Sequence, residues 1–462
     1  MGSALDGDQV RVAAVSPSAE QTEVVIIGGG AAGLAAARAL HDAQVRVLVL
    51  EARNRMGGRI YTRRVRGLAV PVELGAEFVH GRVRETLELA AEAGLMLDEL
   101  SGAWTSIEGG KLQTPGDDDW QIGAIMQRLQ LDRTPDRSFS AFLDSLRSDP
   151  ESAGTVSAAI PDALRYVQGF DAADPDRVGE RWLALSEAAS RRDEHDHQYR
   201  FPAGYDRLTD ALAARLPATA IRLATVVRDV EWERGRVVIH ARTVTITARA
   251  AIVTLPLGVL TARVDGTPGP VTFRPDLGPE VRDALDGMAM GSALRIVFRF
   301  KAPFWEKLSG EGGGRPRNDL WFLSIEDDTF AVWWTSYPMR SPVLTAWVGG
   351  PRAAELARFT SDELVERALR ALGRATGVTR TRLRAMLVDA WYHDWTNDPF
   401  SRGAYSYGVV GGIDAPRVLG RPLEDTLFLA GESTDPDGRG GSVHAAIASG
   451  ERAAKAVLAT LG

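Results

Sequence analysis

Residues 24–33 read VVIIGGGAAG, and this stretch decides the fold of the chain. An apolar, largely β-branched run enters a turn of glycines, and the small residues after it predict a helix over residues 31–40. A second apolar run, residues 45–50, ends on the acid Glu51. A strand, a glycine-rich turn, a helix and a second strand that ends on an acid predict a βαβ unit that binds a dinucleotide.

Three glycines of this unit each have a physical role. Gly28 allows the tight turn, Gly30 lets the backbone approach a pyrophosphate, and Gly33 lets the helix pack closely on the strand. The N-terminus of the helix, at Ala32, offers free N–H groups to the phosphates. Glu51 can accept hydrogen bonds from both ribose hydroxyls, which favours a 2′-hydroxyl over a 2′-phosphate. An ordinary strand–turn–helix is the alternative, but it leaves the acid unexplained.

Two further stretches suit the rest of such a ligand. Residues 51–59 read EARNRMGGR, in which Gly57 and Gly58 expose backbone N–H groups and Arg59 adds charge beside a second phosphate. Near the other end of the chain, residues 427–433 read LFLAGES and predict a strand and a turn. Ser442 then opens a predicted helix over residues 443–458, whose positive end can point at a ligand.

These stretches resemble the flavin amine oxidase family, which includes monoamine oxidases, polyamine oxidases and histone lysine demethylases. The matching stretches are residues 24–59, 73–81, 395–405 and 428–451, so the resemblance spans nearly the whole chain. It implies an α/β fold in which a Rossmann-like FAD-binding domain is interleaved with an α+β substrate-binding domain built on a mixed sheet. The FAD-binding domain would comprise residues 21–81, 203–290 and 396–462, the substrate-binding domain residues 82–202 and 291–395, and residues 1–20 a disordered leader.

The resemblance also implies which residues hold FAD. They are expected along the glycine turn, the second strand, the paired glycines and the last segment of the chain: Gly28, Gly30, Ala32, Gly33, Glu51, Ala52, Arg53, Gly57, Gly58, Arg59, Gly75, Ala76, Glu77, Val227, Trp395, Gly431, Glu432, Ser442 and Val443. Because the chain has no cysteine, a cysteine-linked flavin is impossible and we expect noncovalent FAD, with a histidyl link as the open alternative.

The amino-acid composition indicates which classes of protein this chain can belong to. The chain has 462 residues, of which 45% are hydrophobic and 25% charged, as in ordinary soluble globular proteins. Its net charge of −7 argues against a nucleic-acid partner. No apolar run reaches about 18 residues, so we expect no membrane span. Residues 1–20 lack the apolar core of a signal peptide. We therefore expect a cytoplasmic protein, with a homodimer as one assembly.

The family commonly frames the substrate amine between two aromatic rings in front of the flavin. By resemblance, Tyr405 matches one wall of this cage and Ser442, which is not aromatic, stands at the other. Such rings attract a cationic head or steer the C–H of a neutral amine. The half-open cage predicts room for a bulkier or branched substrate. Plain core packing is the alternative role for Tyr405.

Residues 73–81 read ELGAEFVHG, and His80 matches a residue that lines the site in several polyamine oxidases. If the run is extended, Glu77 and Val79 lie on one face and His80 on the other, and a turn before Gly81 would bring both to the pocket. Glu77 would pair with a substrate ammonium or act as a base. The alternative is that Glu77 caps backbone groups in a buried loop.

Residue 295 departs from the family. Most members have a lysine near flavin N5 that holds a water, whereas the segment 288–298, MAMGSALRIVF, places Arg295 there. None of the four lysines of the chain falls at this position. Arginine is always charged and presents a planar fork. We therefore predict that water binding at this position, and with it oxygen reactivity, is altered.

The leading hypothesis is an FAD-dependent oxidase that converts an amine to an imine and returns the electrons to O2 as H2O2. The substrate is a polyamine, a simple amine or a natural-product intermediate of secondary metabolism, and the half-open cage and Arg295 favour the last. A dehydrogenase of the same fold that uses another acceptor is the alternative. A flavin-bearing interaction protein is disfavoured, because the demethylases carry a helical insertion and an N-terminal domain that this sequence lacks.

Metal ligands are scarce in the sequence. His195 and His197 lie close together in RDEHDH, residues 192–197, but we expect this stretch to be a solvated polar loop. The sequence predicts no metal site.

Overall fold

The computed structural model describes residues 18–113, 118–149, 156–263, 267–308, 319–325, 327 and 329–462. Residues 1–17 of the expected leader lie outside the described residues. The end of that leader is corrected by the structure, because residues 18–20 belong to the strand Ser18–Gln21, which pairs in parallel with Val244–Ala248. Backbone pairing with the edge of a sheet, which residue composition does not reveal, gives these residues their structure.

A five-stranded parallel sheet forms the centre of the dinucleotide unit. Its order is Ile221–Arg222, Val47–Leu50, Val24–Ile27, Ala250–Val253 and Leu427–Leu429, and every neighbouring pair is parallel. The three central strands are buried along their whole length, which explains their continuous apolar sequences. Strands from both ends of the chain therefore share one sheet.

Two helices pack against each other beside this sheet through glycines. The helix Ala31–Asp42 begins at the glycine turn, and the helix Val443–Leu461 ends the chain. A Cβ on Gly33 would lie 1.9 Å from the carbonyl oxygen of Gly28, and a Cβ on Gly450 would lie 2.1 Å from that of Ala32. Only glycine permits these two approaches of helix to backbone.

A second large sheet has seven strands and is mixed. Its order is Leu387–Tyr392, Ala293–Phe300, Val343–Gly349, Val332–Thr335, Leu320–Ile325, Ala103–Glu108 and Lys111–Leu112. The pair Leu320–Ile325 and Ala103–Glu108 is parallel, and the other pairs are antiparallel. The α/β class with a mixed second sheet is confirmed. The exact domain boundaries stay a prediction.

Smaller sheets connect these parts. A further five-stranded sheet orders Ser18–Gln21, Val244–Ala248, Arg236–Ala241, Val227–Glu233 and Thr272–Arg274. A three-stranded sheet has the order Phe78–His80, Gln198–Arg200 and Asp98–Glu99. Two further pairs join Met288–Met290 to Ser406–Gly408 and Thr62–Arg63 to Val72–Glu73.

The remaining helices surround the sheets. They span Arg84–Glu92, Asp118–Met126, Phe139–Ser148, Ile160–Gly169, Glu180–Arg192, Asp206–Ala213, Leu257–Leu260, Pro279–Asp286, Gly350–Leu356, Ser361–Thr376, Arg380–Met386 and Ala415–Leu419, with 3₁₀ turns at Ala218–Ala220, Phe304–Lys307 and Glu432–Thr434. Within the described part of the chain, no helix has both the length and the apolar character that a membrane crossing requires.

Candidate active site

A cavity of about 1880 Å³ joins the glycine turn to the seven-stranded sheet. At one end it is lined by Gly28, Gly30 and Glu51, and at the other by Trp334 and Trp347. Pockets for small molecules usually measure roughly 300–1,000 Å³. The cavity is therefore large enough for a dinucleotide and a second molecule together.

The glycine turn leaves room for a phosphate. A Cβ on Gly30 would meet nothing closer than the Cα of Gly58, at 4.0 Å, and a Cβ on Gly431 would meet nothing within 4 Å. Gly30 is the N-cap of the helix Ala31–Asp42 and no side chain caps the first turn, so its N–H groups remain available. This open cradle fits the pyrophosphate of FAD.

Glu51 lies at the end of its strand and is 4% exposed. One carboxylate oxygen accepts a hydrogen bond from the backbone N–H of Gly29 at 2.7 Å, and the other accepts one from that of Arg53 at 2.8 Å. Each oxygen keeps a second acceptor position. Glu51 therefore fixes the glycine turn, and it can still receive ribose hydroxyls from a ligand in the cavity that it lines.

Arg53 takes part in a network that the sequence did not reveal. Its guanidinium donates to Asp398 at 2.7 Å and lies 5.9 Å from the ring centre of Trp395, and Asp398 also contacts His393 at 2.8 Å. Burial alone would raise the pKa of Asp398, but the hydrogen bonds and charge of His393 and Arg53 hold it well below its usual range. Trp395 donates to the carbonyl of Leu74 at 2.7 Å.

Arg59 and Glu432 join the first and last segments of the chain. The guanidinium donates to one carboxylate oxygen at 2.8 Å, while the other oxygen accepts from Ser406 Oγ at 2.6 Å and from the N–H of Gly441 at 2.9 Å. Burial opposes ionisation of Glu432, yet the charge of Arg59 and these hydrogen bonds lower its pKa. Both residues line the cavity beside Ala404.

Ser442 begins the last helix, as the sequence predicts. Its hydroxyl accepts from the N–H of Ala445 at 3.2 Å and donates to the carbonyl of Arg439 at 2.7 Å. Ser442 and Val443 both line the cavity, so the N-terminus of this helix faces the ligand space. The hydroxyl of Ser442 is thus engaged in capping the helix.

Glu77 lies between two buried arginines. One carboxylate oxygen is 2.7 Å from Nη2 of Arg200, and the other contacts Arg295 and accepts from Trp334 Nε1 at 3.0 Å. The guanidinium of Arg295 also donates to the carbonyl of Gly75 and stacks 5.1 Å from the ring centre of Trp334. Glu77 therefore neutralises protein cations, and nothing in the pattern of the sequence pointed to Arg200.

Glu73 lies in the same region. It accepts from Thr62 Oγ1 at 2.7 Å and from the N–H of Tyr205 at 2.8 Å, and burial raises its pKa to about 7. Burial also lowers the pKa of Arg295 and of Arg200 to about 10, so both remain charged at neutral pH. The region therefore holds two arginine cations, the Glu77 carboxylate paired with them, and a buried carboxyl, Glu73, whose pKa is raised.

Tyr405 stands in an aromatic part of the cavity. Its hydroxyl donates to the carbonyl of Phe170 at 2.7 Å, and a Cβ on Gly441 would lie 3.2 Å from its ring. Burial raises the pKa of its hydroxyl above the usual range. Phe170 stacks on Tyr166 with ring centres 5.3 Å apart. The sequence did not point to these two further aromatic residues.

Two carboxyls also line the part of the cavity formed by Tyr405, Phe170 and Tyr166, which we call the aromatic chamber. Asp171 and Glu187 line the cavity, and burial raises the pKa of both. The hydroxyl of Tyr166 donates to Glu187 at 3.4 Å. Both acids lie in or beside ordinary helices, where the sequence offered no signal for them.

His80 completes the lining near Tyr405. The ring centre of Phe170 lies 5.4 Å from that of His80, whose Nδ1 is buried without a hydrogen-bond partner. Burial lowers the pKa of His80 to about 3. Val79 is buried on the opposite side of the strand, while Glu77 and His80 both line the cavity.

The remaining expected cofactor residues lie along the same cavity. Those that line it are Ala32, Ala52, Gly57, Gly75, Ala76, Val227, Trp395 and Gly431. Gly33 does not line it and packs the helix Ala31–Asp42 against Gly28 instead. Their individual contacts to FAD stay predictions.

The fold and this cavity define an FAD-dependent oxidoreductase. The model of the family of flavin containing amine oxidoreductases matches residues 31–458, and the chain belongs to that family. The predicted family, the FAD cofactor and the assignment as an amine oxidoreductase are thereby confirmed.

Relatives share most of the length of the chain. Polyamine oxidase 4 of Oryza sativa subsp. japonica is 28% identical, over 94% of this chain and 88% of the relative. Lysine-specific histone demethylase 1 homolog 3 of Arabidopsis thaliana is 27% identical over 92% of this chain, which corresponds to 29% of that larger protein.

Solved structures share the fold. A putrescine oxidase bound to putrescine superposes with a TM-score of 0.77 at 19% identity, over 96% of this chain and all of that chain. Cyclohexylamine oxidase from Brevibacterium oxydans IH-35A gives a TM-score of 0.75 at 20% identity, over 95% and 99% of the two chains.

Proposed function

We propose that this enzyme is an oxidase that removes hydride from a carbon next to nitrogen, turning an amine into an imine, with O2 reduced to H2O2. The observation that carries the proposal is the continuous cavity between the dinucleotide turn and the aromatic chamber around Tyr405. FAD, when bound, supplies the acceptor for the hydride and the route of two electrons to O2. The imine carbon loses one hydride, the nitrogen one proton, and water can then hydrolyse the imine.

The residues of the chain bind and orient the reactants in this proposal. Gly30, Glu51 and Arg59 hold the dinucleotide end, and the N-terminus of the helix Val443–Leu461 presents its positive end to the cavity. The ring of Tyr405 forms one wall for the amine, and the chamber excludes water. Because Ser442 has a small side chain, its position opposite Tyr405 carries no aromatic ring and leaves room for a larger substrate.

Arg295 and Glu77 act as a pair in this proposal. Their ion pair sets a fixed buried charge next to the carbonyl of Gly75, which lines the cavity. Because Glu77 is already bound by Arg200 and Arg295, its charge is largely neutralised within the protein. We therefore assign Glu77 the role of holding Arg295 in place, rather than that of binding the substrate ammonium directly.

We propose an amine with a bulky or branched apolar body as the substrate, which fits an intermediate of secondary metabolism. The chamber offers Tyr166, Phe170 and Trp347 for such a body. Asp171 and Glu187 provide acceptors for its cationic or N–H groups. A cytoplasmic location and a homodimer belong to this proposal as expectations from the sequence.

The test is an oxidation assay with a panel of simple amines, polyamines and bulky cyclic amines. Peroxide formation in air, with the matching carbonyl product, supports the proposal. Absence of substrate-dependent bleaching of the flavin under anaerobic conditions across the panel would contradict amine oxidation. Bleaching without peroxide on readmission of air would support the second candidate, a dehydrogenase.

The second candidate is favoured by one specific observation. By the family resemblance we place Arg295 at the position of the family's lysine, and its Nη1 donates to the carbonyl of Gly75 while its Nη2 contacts Glu77. A guanidinium so bound offers less to a water or to oxygen than a free ammonium does. A dye acceptor that restores turnover far better than O2 would decide for the dehydrogenase.

A further inference from the structure

His195 and His197 point in different directions, although only one residue separates them in sequence. His197 Nδ1 lies 2.6 Å from a carboxylate oxygen of Glu99, away from the cavity. His195 lines the cavity, and both of its ring nitrogens are buried without a hydrogen-bond partner. Glu194, directly before His195, has φ of 54°, a left-handed conformation that few residues other than glycine adopt.

His444 approaches His195 from the last helix. It lies in the first turn of Val443–Leu461, is 3% exposed, and its Nε2 also lacks a partner. One ligand atom each from Asp193, His195 and His444 lie within 4.8 Å of one another. The ring of His80 is 6.1 Å from that of His195. Four polar side chains from three separate segments thus converge at one wall of the cavity.

The backbone is shaped to allow this convergence. Gly81 has φ of 85°, and a Cβ there would lie 2.2 Å from the carbonyl oxygen of Asp193 and 2.7 Å from Cδ2 of His195. The N–H of Gly81 donates to His197 and that of Arg82 to Asp193, both at 2.8 Å. A side chain at position 81 would therefore push the loop of Asp193 and His195 away from His80.

The chemistry of the cluster suits a cation that accepts nitrogen lone pairs. Burial lowers the pKa of His444 to about 4 and also lowers that of His195, so both rings are neutral at physiological pH. Neutral imidazole is the form that binds metals. Each buried nitrogen without a partner destabilises the empty site, and a bound ion removes that cost. The carboxylate of Asp193 supplies charge, although it also contacts Arg192 Nε at 3.0 Å.

We propose that Asp193, His195 and His444 form a binding site for a divalent transition metal ion of the zinc type. In tetrahedral zinc sites the nitrogen ligands lie about 2 Å from the ion and hence about 3.4 Å apart, so the three side chains close by roughly an ångström on binding. Three protein ligands leave one position open toward the cavity, next to His80. The ion would fasten the loop after the helix Glu180–Arg192 to the last helix.

This site is independent of the proposed function and is tested by metal content. The FAD-containing enzyme is freed of metals with a chelator, dialysed against Zn²⁺ and analysed for zinc per flavin. We expect one Zn²⁺ per chain, and Co²⁺ in its place should give a visible band at wavelengths where flavin does not absorb. No zinc retained by the unmodified enzyme would overturn the proposal.

Variants locate the ion. His195→Ala should weaken zinc binding at least about tenfold, because the ligand set loses its central member. The matched control His197→Ala should bind zinc as the unmodified enzyme does. Flavin absorbance verifies that each variant is folded, and His195→Asn replaces His195→Ala if the latter loses FAD. Unchanged zinc affinity in the His195 variant would overturn the assignment.

Discussion

The carboxylate of Glu77 lies 2.7 Å from Nη2 of Arg200 and pairs through its other oxygen with Arg295. Arg200 and Arg295 are 8% and 6% exposed, so water cannot take the place of Glu77 beside either cation. The pairing therefore couples the stability of the protein to Arg295, the residue that we predict takes the place of the family's lysine.

Glu77→Gln is expected to destabilise the protein by about 3–5 kcal/mol, because it leaves a buried charge uncompensated. Urea unfolding measures this loss, and the exposed Glu88→Gln serves as control. Turnover per bound FAD should fall far more than FAD content. Adding Arg295→Met to Glu77→Gln should restore part of the stability. A double variant that is less stable than the sum of its parts would contradict the pairing.

Arg295→Met is expected to slow flavin reoxidation by O2 more than it slows reduction by substrate, because it removes a fixed buried cation. Stopped-flow measurement of the two half-reactions separates these effects. Arg299→Met, four residues along the same strand and directed at the carbonyls of Arg66 and Gly67, is the matched control. Unchanged rates in both half-reactions would remove Arg295 from the proposed role.

The raised pKa of Glu73 predicts that the free energy of unfolding decreases as the pH rises. Its pKa is raised in the folded state from 4.5 to about 7, so between these values the folded protein binds the extra proton. Stability from this group is therefore greatest at the acidic end of the window and falls until pH passes about 7, by about 3 kcal/mol in all. Glu73→Gln should flatten urea midpoints measured between about pH 5 and pH 7. A variant with the unmodified slope would exclude Glu73 as the cause.

Tyr405 is expected to act through its ring. Tyr405→Phe should keep kcat/KM within about twofold, whereas Tyr405→Ala should lower it about tenfold, the worth of an aromatic contact to a cation or amine. Steady-state kinetics on the best substrate of the panel measures both. Equal activity of the alanine variant would leave Tyr405 as a packing residue only.

The flavin is expected to leave the protein on denaturation. The chain has no cysteine, and the cradle at Gly30 and Gly58 is open, so nothing on these residues requires a covalent bond. Acid precipitation followed by absorbance of the supernatant measures the released FAD. Yellow colour that stays with the precipitate would show a histidyl link.

The local parts of the site were predictable from the sequence. The strand at residues 24–27, the helix after Gly30 and the acid Glu51 follow from short-range pattern and from the chemistry of glycine, and the structure has all three. The helix that begins after Ser442 follows in the same way. These features depend on residues within one turn or strand of each other.

Partners distant in sequence were not predictable. Arg200 reaches Glu77 across more than a hundred residues, and Asp398 reaches Arg53 across 345. No local pattern distinguishes such an arginine or acid from a solvated one, because its partner is fixed only by strand pairing. The direction of His195 was missed for the same reason, since it depends on the backbone turn at Glu194 and on the packing at Gly81.

The strand order of the parallel sheet has a consequence for folding during synthesis on the ribosome. The central strand of this sheet, Val24–Ile27, leaves the ribosome well before the edge strand Leu427–Leu429 and the helix Val443–Leu461, which lie far later in the chain. Until these arrive, the glycine turn lacks the wall formed by Gly431, Glu432 and Ser442. Capture of FAD therefore completes only after the helix Val443–Leu461 has been synthesised, and until then the earlier strand and helix keep apolar surface uncovered.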